Sequence, residues 1–164
     1  MSAHLPLPGD EPSSGHAFPP LYNLVYCSRA KPGVDDAAVQ RIIATARRWN
    51  PEQGITGLLV FGSGIFFQWL EGPRDNVLGL WTKLAADPRH DNVVRLSEIE
   101  EVRERLFPDW SMELVTTDDI RDVLVDAMES AEDPQNAGAL ASLLEQLDSG
   151  QLGVLGALGA LGAA

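Results

Sequence analysis

Residues 64–72, GIFFQWLEG, decide the fold, because they are apolar on both sides of an extended chain. In a strand, Phe66, Gln68 and Leu70 project one way while Ile65, Phe67 and Trp69 project the other. A glycine-bounded run of this length and aromatic content reads as a strand. Both of its faces need a cover, since an uncovered one would leave a large exposed apolar patch. Gln68 breaks the pattern. A buried amide costs on the order of 1–3 kcal/mol unless its oxygen and nitrogen find partners, so something must satisfy it.

The flanking sequence supplies neighbours for this strand. ITGLLVFG (55–62) precedes it across Gly62-Ser63-Gly64, a hairpin signal. LYNLVYCSRA (21–30) alternates, with Tyr22, Leu24, Tyr26 and Ser28 on one face, and KPG ends it. Asp35 is a candidate N-cap for DDAAVQRIIATARRWN, whose Val39, Ile42, Ile43 and Ala46 form a helical stripe that Asn50 extends. Asp75 is placed to cap a second helix, NVLGLWTKLAAD, with Val77, Trp81 and Leu84 on one side. VVRLSEIE (93–100) reads as a fourth strand and SMELV (111–115) as a short fifth.

The order βαββαββ predicts an α+β, ferredoxin-like sandwich, with the first two strands parallel through a right-handed crossover and both helices on one sheet face. Two amphipathic segments can cover the second face. Thr116 and Asp119 stand in capping-box spacing before a helix predicted over 117–129, and Leu140, Leu143, Leu144 and Leu147 mark another over 138–148. The chain thus divides into a Pro/Gly/Ser-rich disordered leader (1–20), one domain (21–115), a helical extension (116–150) and a low-complexity Leu/Gly/Ala tail (151–164). That tail is too short for a membrane span, and the leader lacks the features of a signal peptide.

Composition narrows the function. With 12 Lys+Arg against 24 Asp+Glu the formal charge is -12, which disfavours nucleic acid and anionic membranes as partners. Cys27 is the single cysteine, so no intrachain disulfide is possible and a reducing, cytoplasmic setting is the simplest reading. His4, His16 and His90 lack zinc-ligand spacing, and no metal is expected.

In a ferredoxin-like order the first and third strands are neighbours, which brings the Tyr26 phenol within reach of Gln68. LVYCSRA, WNPEQGITGLL, FFQWLEGPRDNV, DPRHDNV and FPDWSMEL, in this order over residues 21 to 115, resemble the signature segments of the BLUF domain, the blue-light sensor using flavin. The resemblance implies FAD, or FMN, as the cofactor, with Tyr26 as photochemical electron and proton donor and Gln68 between that phenol and the ring. It implies Asn50 on the polar edge of the ring, Ile42 and Leu84 as its two walls, and Lys83, Arg89 and His90 at the ribityl and phosphate end. Trp110 and Met112 match the pair on the fifth strand that relays the switch. Trp49 departs from the family, which often has a polar residue or histidine there.

These implications give a non-enzymatic photoreceptor acting through a separate protein partner or a homo-oligomer, since the roughly 50 residues after the fifth strand cannot hold an effector domain. Two other classes share the fold. A flavin-free interaction module would be colourless. An acylphosphatase-like hydrolase would need a phosphate cradle, and SRAKPG has cations but no Gly-rich anion loop.

Overall fold

The computed structural model describes residues 20–150, so the leader expected over 1–20, apart from Pro20, and the Leu/Gly/Ala tail lie outside the described residues. In chain order the elements are β1 (Leu21–Ala30), α1 (Asp36–Gln53), β2 (Thr56–Gly62), β3 (Ile65–Gly72), α2 (Arg74–Ala85), β4 (His90–Val102), β5 (Glu113–Val115), α3 (Ile120–Ser130) and α4 (Pro134–Asp148). The sheet order is β4-β1-β3-β2-β5. β1 and β2 each pair antiparallel with β3 and are therefore parallel to one another, as expected for a ferredoxin-like core. β5 extends the sheet by pairing parallel with β2.

Local chemistry explains most boundaries. Asp35 caps α1 by accepting from the Ala38 amide at 2.9 Å, and Gly54 ends it in the left-handed region at φ 68. The helix therefore runs past Asn50 and carries Pro51 in its last turn. Ser63 and Gly64, both at positive φ, make the tight turn between β2 and β3, as the Gly-Ser-Gly signal predicted. Gly57 permits a close strand approach, because a Cβ there would sit 1.8 Å from the Trp69 carbonyl oxygen.

The starts of three helices differ from the sequence expectation. Pro73, not Asp75, occupies the N-cap of α2, and Asp75 lies in the first turn. A proline at that entry needs no donor, so the helix starts early. Thr116 accepts from the Asp119 amide at 3.2 Å, but this turn precedes α3 rather than belonging to it. α4 begins at Pro134 instead of 138, because Asp133 caps it through the Gln135 amide.

The two sheet faces carry separate cores. On the first, Tyr22, Leu24, Tyr26, Leu59, Phe66 and Leu70 pack under Val39 and Ile43 of α1 and Val77 of α2. On the second, Val25, Phe67 and Trp69 pack under Leu124 and Ala127 of α3 and Leu140, Leu143, Leu144 and Leu147 of α4. The C-terminal helices thus cover the second face, which answers the cover problem posed by GIFFQWLEG. A polar tie crosses that core: Asn23 on β1 donates to Asn136 on α4 at 2.7 Å, and Asn136 donates to Glu104 at 3.2 Å.

Candidate functional site

β1 and β3 pair with Tyr26 directly opposite Gln68. The Tyr26 hydroxyl donates to Gln68 Oε1 at 2.5 Å, and Gln68 donates from Nε2 to Met112 Sδ at 3.3 Å. Both residues are buried, Gln68 at 4% exposure. Burial pushes the Tyr26 phenol well above the ordinary tyrosine range, and the Asp87 carboxylate adds to this. The proton therefore stays on Tyr26 Oη, and the phenol is the donor of the pair.

Gln68 has four hydrogen-bonding positions, and the phenol and the sulfur use two of them. A thioether is a weak acceptor, so the amide keeps capacity for a polar ligand edge. It faces a cleft of about 340 Å³, open mouth included, lined by Tyr26, Ile42, Leu59, Phe66, Gln68, Leu84, Asp87, Arg89 and His90. Aliphatic walls from α1 and α2 with one fixed amide suit a flat ring that has an apolar body and a polar edge.

The other expected site residues fall in several places. Ile42 and Leu84 line the cleft from opposite helices, as expected. Lys83, the next residue round α2 from Leu84, is exposed and does not line it. Arg89 lines the mouth while its guanidinium is held by Asp87, with Nη2 to Oδ2 at 2.6 Å. His90 lines the cleft and is also an internal anchor. Its Nδ1 meets Ser28 Oγ at 2.6 Å and its Nε2 meets the Leu84 carbonyl at 2.5 Å, fixing the start of β4 against α2 and β1.

Asn50 lies at the base of α1 and outside the lining set, where its amide nitrogen donates to the Ser111 carbonyl at 2.8 Å. It belongs to a wider clamp. Gly57 N donates to the Trp110 carbonyl at 2.8 Å and Arg47 Nε to the Met112 carbonyl at 3.0 Å, so three successive carbonyls before β5 are held by β2 and α1. Within this segment the chain changes face. Met112 packs in the first core beside Gln68, whereas Trp110 stacks on Phe107 at 5.3 Å and joins the second core with α3 and α4.

Sequence reading missed two groups. Trp81 lies 5.3 Å from Tyr26, ring to ring, and carries the Arg95 guanidinium at 5.7 Å. Glu71 is almost fully buried and collects four donors: Thr56 Oγ1, Trp69 Nε1 and the amides of Leu106 and Phe107. Burial raises its carboxyl above the usual range even though the two amides, Thr56 and Arg105 oppose the shift. A lone acid with the same strand parity as Phe67 and Trp69 was the available signal.

A sheet of this order, with a tyrosine–glutamine pair at the floor of an aliphatic cleft, makes this a small α+β sandwich with a helix-walled cleft on one sheet face. The chain belongs to the BLUF family, sensors of blue light using FAD, whose model matches residues 21–113. Photoactivated adenylate cyclase subunit beta of Euglena longa is 36% identical over 97 residues, 58% of this chain but 11% of that protein. The blue light- and temperature-regulated antirepressor BluF of Escherichia coli is 34% identical over 76 residues, covering 46% of this chain and 19% of that one. This chain therefore spans a small fraction of these curated relatives. Among solved structures, the dark state of the BLUF protein BlrB aligns with TM-score 0.60 and 30% identity, covering 79% of this chain and 98% of that one. The BLUF domain of BlrP1 aligns with TM-score 0.66 and 27% identity over 82% and 95% of the two chains. No helix among the described residues is long and apolar enough to cross a membrane.

Proposed function

We propose that this chain is a blue-light receptor that holds one flavin non-covalently in the cleft between α1 and α2. The observation that carries this reading is the unbroken hydrogen-bonded chain from Tyr26 through Gln68 to Met112. Ile42 and Leu84 are the walls, Gln68 binds the polar edge, and Arg89 at the mouth suits the phosphate end. Asn50 reaches the same edge in this reading by exchanging its hold on Ser111. FAD is the flavin in the family's description, and FMN is the alternative, since one BlrP1 structure from Klebsiella pneumoniae contains FMN.

When bound, the flavin supplies a photoexcited electron acceptor. Tyr26 would give up an electron to that acceptor and its Oη proton by way of the Gln68 side chain, and both would return to Tyr26 on recombination. While the phenol bond is broken the amide would be free to turn over and exchange its two ends. Nε2 then faces Tyr26 and Oε1 faces Met112 Sδ. A thioether has no proton to offer, so Met112 loses its partner and the segment before β5 leaves its dark position. Trp110, in the same segment, carries that shift to the core under α3 and α4. A protein partner or another copy of the chain reads the result as a population shift. In this reading the domain catalyses no reaction, and it works in the cytoplasm.

Reconstitution tests the reading. Protein refolded with excess FAD and passed through gel filtration should elute yellow with about one flavin per chain. A colourless peak would refute it.

A further inference from the structure

The receptor reading leaves Trp49 and the outer side of α1 unused. Trp49 is 56% exposed and does not line the cleft. Beside it on the solvent side of α1 lie Arg41 and Arg48, two turns apart, with the small residues Ala44 and Thr45 between them. All of these are exposed, and neither arginine forms an ion pair or hydrogen bond among the described residues. Arginine and tryptophan around a smooth centre is the chemistry of an interface anchor, and small side chains let a second helix approach to about 8–10 Å.

The same molecule carries the complementary surface. On α3, Asp122, Asp126 and Glu129 are exposed at spacings of four and three residues, which places them on one face. Arg121, the cation of that helix, is already held by Asp148 at 2.9 Å. Asp122 and Glu129 are seven residues apart, as are Arg41 and Arg48, and each interval spans about 10.5 Å along a helix. Antiparallel docking then pairs Arg41 with Glu129 and Arg48 with Asp122, and lays Trp49 over the first turn of α3.

We propose that the Arg41, Arg48 and Trp49 face of α1 docks on the acidic face of α3 of a second copy of this chain. α1 packs on the first sheet face and α3 on the second, so the two patches lie on opposite sides of the molecule. A two-fold pair cannot use both at once. Copies stack head to tail, into a ring or an open chain. The formal charge of -12 opposes association at long range, but at physiological ionic strength screening over about 8 Å leaves the local match dominant. The inference stands apart from flavin binding and needs no light.

Sedimentation of the full chain at rising concentration tests it. The wild-type mass should climb above that of one chain. R41E/R48E and D122K/E129K should each stay single at concentrations where wild type associates, and W49A should weaken association. Mixing the two charge-reversed variants should restore assembly, because the acidic α1 of one meets the basic α3 of the other. A wild-type chain that stays single up to about 1 mM overturns the proposal, as does a mixture that fails to assemble. So does capture of polyglutamate by the α1 face without self-association, which would make the occupant a different acidic chain.

Discussion

Gln68 donates its amide nitrogen to the sulfur of Met112 at 3.3 Å while the same side chain accepts from Tyr26. This contact is the weakest bond of the chain and the one that a turned amide cannot keep. Met112→Leu keeps the volume and should cost less than about 1.5 kcal/mol in stability. It removes the dark-state acceptor, worth about 1 kcal/mol, so thermal return after illumination should slow by up to roughly fivefold, according to how much of that bond the transition state has formed. Flash absorption measures this, and an unchanged lifetime would show that the sulfur takes no part in the return.

Tyr26 is a proton donor only while protonated. An ordinary tyrosine, with a pKa of about 10, would be half ionised at pH 10. Burial and Asp87 hold the Tyr26 phenol above that value. Its folded pKa is raised, so the contribution to stability is fully present below the unfolded value and is lost as pH rises from there through the folded one. The light response at pH 10 should therefore match that at pH 7.5. A response halved at pH 10, with the protein still folded, would place the phenol in water.

Glu71 presents both oxygens to donors, Oε1 to Trp69 Nε1 and the Leu106 amide, Oε2 to Thr56 and the Phe107 amide. Glu71→Gln must turn an NH₂ group toward two of them whichever way it rotates. The expected loss is about 3 kcal/mol, read from the midpoint of urea unfolding. A loss under about 0.5 kcal/mol would show that the loop before β5 does not depend on this carboxylate.

Much of this site was legible because strand periodicity is rigid. Once GIFFQWLEG is a strand, Phe66 and Gln68 must share a face, and the neighbouring strand puts Tyr26 opposite. Legibility ended where periodicity did. Trp110 and Met112 are two residues apart, yet they occupy opposite cores because β5 begins only at Glu113 and the preceding turn inverts the chain. The same limit hid the start of β4, expected at Val93, which begins at His90, a residue expected at the ribityl and phosphate end whose ring is enclosed by Ser28 and Leu84. Lys83 is expected at the ribityl and phosphate end rather than in a wall, and one step round the helix from Leu84 its side chain is exposed to solvent.

The face change between Trp110 and Met112 gives the signal a direction through the sheet. Amide exchange compared in darkness and under blue light should quicken within 105–148, where the turn, β5, α3 and α4 lie, and hold steady in β1 and β3. Unchanged exchange in that region, with a normal spectral response, would mean that the signal leaves by another route.

The most direct test of the tyrosine–glutamine switch is the absorbance of the flavin-loaded protein before and after blue light, taken for wild type, Tyr26→Phe and Gln68→Leu. Wild type should show a reversible red shift of the flavin band, because exchanging the two ends of the Gln68 amide alters the hydrogen bond it makes with the ring edge. Both variants should retain flavin, since the Ile42 and Leu84 walls remain, and neither should shift. A full reversible shift in either variant would contradict the roles assigned to Tyr26 and Gln68.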